Sequence, residues 1–163
     1  MGASIVQIQQ ANIFQNKQCI LSQVNIDVQA GDFVFLIGKT GTGKSSLIKT
    51  LYADLPLQEG HCTIVGYDLN GIRQKDIPYL RRKLGVVFQD FKLLPDRSVF
   101  DNLSFVLKAT GWKDKVKIKG RIQEVLSEVG VAGTEHKHPF ELSGGEQQRV
   151  AIARALLNTP EII

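Results

Sequence analysis

The first thirty residues carry two short apolar patterns separated by polar residues. Ile5-Val6-Gln7-Ile8 reads as a strand, and Val24-Asn25-Ile26-Asp27-Val28 as another with clean period-2 alternation. Ala30-Gly31-Asp32 signals a turn. The continuous run Phe33-Val34-Phe35-Leu36-Ile37 then predicts a strand buried on both faces of a parallel sheet. A glycine-rich turn follows, and Leu47, Ile48 and Leu51 recur at helical spacing within Ser45–Leu51. Strand, glycine turn and helix in that order open a βαβ unit. Glu59–Gly66 reads as a further short strand, and Leu84–Phe88 as another of the buried type.

From Phe91 to about Phe140 the pattern shifts toward helix, with a periodic stretch around Ile122–Val129. After Ser143-Gly144-Gly145 an amphipathic helix is predicted over Glu146–Leu157, with Val150, Ala153 and Leu157 on one stripe. Thr159-Pro160 breaks it, and Glu161-Ile162-Ile163 reads as the start of a new strand.

Composition narrows the class. The 163 residues are 43% hydrophobic and 22% charged, which excludes a disordered tail, a collagen-like fibre and a disulfide scaffold. The apolar runs fall far short of the roughly 20 residues that span a bilayer. No basic segment leads into an apolar core within Met1–Gln10, so no export signal is expected. Cys19 and Cys62 lack metal-type spacing and read as free thiols of a reducing cytoplasm. A net charge of +4 favours an anionic partner without naming one.

Two segments carry chemistry. Gly38-Lys39-Thr40-Gly41-Thr42-Gly43-Lys44-Ser45 fits the phosphate-binding pattern G-x-x-x-x-G-K-[ST]. Its glycines let the backbone curl so that N–H groups converge on one anion, and the following helix turns its positive end to the same phosphates. Lys44 supplies a mobile charge to the β- and γ-phosphates, and Ser45 offers a hydroxyl to Mg²⁺. The second segment is Leu142-Ser143-Gly144-Gly145-Glu146-Gln147-Gln148-Arg149, where uncovered N–H groups at a helix start make another anion site. An ordinary helix cap explains this segment alone. Beside a phosphate-binding loop it points to two chains sharing each nucleotide.

Together these segments resemble the Walker A and signature motifs of the ATP-binding cassette ATPases, across essentially the whole chain. The resemblance implies an α/β fold. It would be a P-loop NTPase core of the cassette type with an inserted helical subdomain, lacking the family's C-terminal strands and helices. Residues 1–163 would form one partial domain. Its nucleotide-binding core would comprise 1–89 and about 150–163, and its helical subdomain about 90–149 with the signature. ATP and Mg²⁺ are the implied cofactors. Gly38, Lys39, Thr40, Gly41, Thr42, Gly43, Lys44, Ser45 and Ser46 would hold ATP, with Ser46 where threonine is commoner. Gln89 matches the family's Q-loop glutamine and would join Ser45 at Mg²⁺; a plain loop amide is the alternative. Phe14 matches the aromatic that stacks on adenine; a strand-edge core residue is the alternative. Ser143, Gly144, Gly145, Glu146 and Gln147 would act in trans on ATP held by a second copy.

The resemblance further implies a homodimer closed around ATP, peripheral on the cytoplasmic membrane face through a permease-like integral-membrane partner. Phe88–Asn102, with Asp96-Arg97 ahead of Ser98-Val99, is similar to the family's cell-division branch, and Asp90–Asn102 is the surface expected to meet that partner. Lipoprotein-release and export ATPases are the near alternative. A nucleotide-dependent scaffold without turnover and a nucleic-acid motor are the distant ones. Lys113, Lys115, Lys117 and Lys119 beside Trp112 read as a solvated basic face, and no nucleic acid is expected. In this family the Walker B aspartate, catalytic glutamate and switch histidine follow the signature helix. None has a counterpart here: His136 and His138 precede the signature and read as solvated loop residues, and Glu161 precedes the last strand. The expectation is a piece of a longer ATPase that by itself binds ATP weakly and does not hydrolyse it.

Overall fold

The computed structural model describes residues 4–163; residues 1–3, at the start of the expected core, lie outside the described part. The chain divides into two compact units, residues 4–81 and 82–163.

The first unit is built on β1 (Ser4–Gln15), β2 (Gln18–Gln29), β3 (Glu59–Ile64) and β4 (Tyr67–Asp68), in the sheet order β2-β1-β3-β4 with every pairing antiparallel. β1 and β2 form a long hairpin. Its two-residue turn, Asn16-Lys17, holds φ at +51° and +73°, the pair of positive values that matches strand twist in a tight hairpin. Both strands run well beyond the short patterns read from sequence, because β1 changes phase midway. Val6 and Ile8 are buried, and then Ala11 and Ile13, one residue out of step. The register shifts between Ile8 and Ala11, where Gln10 sits at φ +47° and donates its N–H to Asn25 Oδ1 at 3.0 Å. The extra residue returns the apolar side chains to the same face. Gly60 of β3 lies against this bulge: a Cβ there would collide with Ala11 Cα.

Helix α1 (Lys44–Leu51) packs on β1 and buries Ser46, Leu47 and Thr50; Ile48 is exposed. Helix α2 (Ile77–Arg82) buries Ile77 and Leu80. The expected strand Phe33–Ile37 does not form. Its residues pair with nothing in the sheet, and Phe33, Phe35 and Ile37 are 84%, 78% and 86% exposed. A strand buried on both faces exists only when parallel neighbours flank it and helices cover it. Among the described residues the only parallel pairing is the single bridge Leu84↔Ile162.

That bridge is also all that forms of the predicted strand Leu84–Phe88, whose Val87 and Phe88 are exposed. Gly85 donates its N–H to Ile162 O, and Glu161 to Lys83 O, at 2.7 and 2.8 Å. Glu161–Ile163 thus supplies one parallel rung.

The second unit is helical. Helices α3 (Val99–Ala109), α4 (Lys115–Glu128) and α5 (Gly144–Leu156) enclose one core. Val99, Leu103 and Leu107 come from α3, Ile118, Ile122, Val125 and Leu126 from α4, and Val150 and Ala153 from α5, with Leu157 just beyond it. The sequence division placed about 150–163 with the nucleotide-binding core; in the structure Val150, Ala153 and Leu157 are buried in this helical cluster. Local chemistry sets the ends. Ser98 accepts the Asp101 N–H to cap α3, and Asp114 accepts from Val116 and Lys117 to cap α4. Arg121 donates to Leu156 O and Leu157 O, satisfying the last carbonyls of α5. The buried Asn102 amide accepts from Leu94 N–H and donates to Leu94 O, Arg97 O and Ser98 O, fixing the turn before α3.

Candidate functional site

The phosphate-binding loop lies in the first unit, at the start of α1. Gly41 and Gly43 hold φ at +84° and +93°, a region other residues resist. Gly43 is also the N-cap of α1, so no side chain caps that helix start and no acidic residue lies in its first turn. The first N–H groups are therefore left to an outside acceptor, and the helix dipole favours an anion there. Lys44 folds back over the loop, donating from Nζ to Gly38 O and Lys39 O at 2.7 Å each. Thr42 Oγ1 donates to Lys39 O at 2.8 Å. Lys39, Thr40 and Ser45 are exposed, whereas Ser46 is buried on the inner side of α1, its carbonyl accepting from Thr50 Oγ1.

The floor of this loop comes from residues the motif does not contain. A Cβ at Gly43 would meet Ile20 Cγ2 at 2.7 Å and Leu21 Cγ at 2.9 Å. Gly43 thus rests on the first residues of β2. Phe14 is half-buried on β1 opposite Cys19, so the hairpin end carries Phe14 beside the residues that seat the loop. The apolar pair Ile20-Leu21 next to a tight turn was the available sequence signal.

The remaining candidates lie in the second unit. Gln89 is exposed in a turn after the Leu84 bridge. Phe91 and Lys92, which follow it, both hold left-handed backbone, φ +57° and +50°. Asp90 pairs with Lys92 Nζ at 2.7 Å, and the hydrogen bond from Lys92 holds its carboxyl below the usual range. Arg154 of α5 reaches the same turn and donates from Nη2 to Phe91 O and from Nη1 to Lys92 O, at 2.6 Å each. Sequence patterns gave no sign of this contact. Of the expected partner surface, Asp96 is exposed, and Arg97 is half-buried with its guanidinium 4.8 Å from the centre of the exposed Phe105 ring.

Ser143 caps α5. Its Oγ accepts the Glu146 N–H at 3.3 Å and donates to Glu146 Oε2 at 2.7 Å, while its own N–H donates to the same oxygen at 2.8 Å. Glu146 thus closes a capping box, and the two bonds from Ser143 hold its carboxyl below the ordinary value. Gln147 turns back to donate from Nε2 to Leu142 O. The two glycines are free of packing. A Cβ on Gly144 would meet nothing within 4 Å, and one on Gly145 only Arg149 Nη1 at 3.7 Å. Nor does either hold positive φ, so the fold itself asks for glycine at neither position. His138 accompanies this segment as the cap of a short 3-10 turn, stacked on Phe140 and 3.4 Å from Glu141; His136 is exposed. Lys113, Lys115, Lys117 and Lys119 are all exposed.

The sequence profile described as ABC transporter matches residues 21–163. The cell division ATP-binding protein FtsE of Streptococcus pneumoniae (strain D39) is 42% identical over 150 residues, covering 92% of this chain and 65% of that protein. FtsE of Bacillus subtilis is 44% identical over 143 residues, covering 88% and 62%. The chain therefore spans less than two thirds of the length of these relatives. Among solved structures, the dimeric post-hydrolysis state of the cassette MJ0796 bound to ADP and Pi superposes with a TM-score of 0.82 at 30% identity, over 95% of this chain and 70% of that one.

Proposed function

The chain belongs to the ABC transporter family, and from that membership we propose that it is the ATP-binding part of a cassette ATPase working with a membrane partner in cell division. Gly38–Ser45 would cradle the phosphates of ATP. The open backbone at the α1 N-terminus and the packed seat under Gly43 fit a polyphosphate. Lys44 would exchange its two loop carbonyls for β- and γ-phosphate oxygens, and Ser45 would offer Mg²⁺ a hydroxyl. Mg²⁺ supplies neutralisation of phosphate charge when bound. Gln89 would be a further Mg²⁺ ligand, and Phe14 would stack on the base. Ser46 packs inside α1 and supports the loop.

The observation that carries this reading is the pair of exposed glycines at the start of α5. Nothing among the described residues requires glycine at either position, which supports close approach by something outside the chain. Ser143, Gly144, Gly145, Glu146 and Gln147 would contact ATP held by a second copy, so that two nucleotides close a homodimer; that the MJ0796 cassette bound to ADP and Pi is dimeric supports such pairing. Identity to FtsE supports a division role in the whole protein, which would hydrolyse ATP and act on a permease-like partner of the FtsX type. Asp90–Asn102, with Asp96 exposed, is the surface for that partner. Among the described residues no helix is long and apolar enough to cross a membrane, and attachment to the cytoplasmic face would come through the partner.

Calorimetric titration with ATP tests the reading. Lys44→Ala should weaken binding about 10- to 100-fold, the worth of charge-assisted bonds to phosphate. Equal affinity in wild type and Lys44→Ala would contradict it.

A further inference from the structure

We propose that Arg154 is a positioning residue for Gln89, clamping the turn that follows it to the helix that carries the signature glycines. This inference rests on the assignment of Gln89 as a Mg²⁺ ligand above. Phe91 and Lys92 are consecutive non-glycine residues at positive φ. Such backbone persists only where surrounding contacts over-determine it. The Asp90–Lys92 pair lies within the turn itself, and Asn102 grips the chain only from Leu94 onward. Among the described residues, Arg154 alone reaches the carbonyls of Phe91 and Lys92 from a distant part of the chain, with one guanidinium nitrogen on each at 2.6 Å. Half-buried on α5, it loses water to make those bonds, which lowers its affinity for a proton and leaves the two carbonyls as its acceptors.

The planar fork matters. A lysine carries similar charge but cannot present two fixed donors to adjacent carbonyls. Without the clamp the turn can relax toward ordinary backbone, and Gln89, two residues upstream, loses its fixed place. The same helix begins at Ser143–Gly145, so one rigid element holds both the signature and the turn behind Gln89.

The test uses wild type, Arg154→Lys, Arg154→Met, Gln89→Ala and the Gln89→Ala/Arg154→Lys pair. Hydrogen exchange across residues 89–93 reads the clamp. Mg²⁺ titration of the ATP-saturated protein reads the positioning, and ATP titration in EDTA reads the nucleotide site itself. Both Arg154 variants should speed exchange in 89–93 and weaken Mg²⁺ about tenfold, as loss of a ligand-orienting partner does. Arg154→Lys should not rescue, and the double variant should be no worse than Gln89→Ala. ATP affinity of the two Arg154 variants in EDTA should not change. Unaltered exchange, unaltered Mg²⁺ affinity in the Arg154 variants, or no effect of Gln89→Ala would each overturn the proposal. If wild type binds no ATP with or without Mg²⁺, the proposed function fails, and exchange still judges the clamp. Should Arg154→Met unfold, Arg154→Lys keeps the test intact.

Discussion

The phosphate-binding loop and the signature segment are both glycine-bearing starts of helices, yet they use glycine for opposite reasons. Gly43 is demanded by the fold, with left-handed backbone and side chains of Ile20 and Leu21 against the place a Cβ would occupy. Gly144 and Gly145 have ordinary backbone and open space. The ends differ in the same sense. α1 starts on a glycine with no capping side chain, whereas Ser143 and Glu146 cap α5 reciprocally. One helix start is shaped by packing within its own unit, and the other is capped by its own side chains and leaves its glycines bare.

The sharpest way to break this contrast is to put a methyl group at each place. Gly43→Ala should destabilise the first unit by about 2–4 kcal/mol, from left-handed strain plus overpacking against Ile20 and Leu21. Urea unfolding measures it, and a neutral result would mean the seat under the loop is illusory. Gly145→Ala should do the reverse, stabilising α5 by about 0.5 kcal/mol as alanine replaces glycine in a helix. It should nevertheless weaken ATP-dependent dimerisation. A variant that is more stable but binds its partner less separates folding from function at that residue.

Ser143→Ala probes the cap and should cost α5 about 1 kcal/mol. Acid gives a gentler probe. The Glu146 carboxyl is held below its ordinary 4.5 by Ser143, so the folded state binds its proton less readily than the unfolded chain. Its contribution is present above about pH 4.5 and is lost as pH falls through the lowered value. In Glu146→Gln that part of the acid sensitivity should disappear from a pH-dependent unfolding series.

The smallest expected effect concerns the two thiols. Burial pushes Cys62 up to about 12, while Cys19 is exposed on the hairpin that seats the loop. At pH 8 a thiol reagent should modify Cys19 promptly and leave Cys62 intact until unfolding. Prompt reaction of both would mean that the β1–β3 sheet opens readily.

What was legible in sequence was local. The phosphate-binding loop, the signature and the helices that follow them are specified by neighbours a few residues apart. Phe33–Ile37 shows the limit, since an apolar run signals a need for burial but a strand forms only with partner strands, which its own residues cannot supply. The long hairpin escaped because the bulge at Gln10 breaks the period-2 pattern halfway. Arg154 escaped because a side chain reaching distant backbone carbonyls leaves no periodic trace, and the left-handed backbone of Phe91 and Lys92 has no glycine to announce it.

Mixing two defective variants tests the central claim that the two glycine segments serve one nucleotide from different copies. Lys44→Ala keeps its signature and loses its grip on ATP, while Ser143→Arg keeps the grip and blocks the signature. Sedimentation with Mg²⁺ and a non-hydrolysable ATP analogue should give dimers for wild type and monomers for each variant alone. An equimolar mixture should recover heterodimers through one intact composite site. Monomers in the mixture, or dimers of Ser143→Arg alone, would contradict the account.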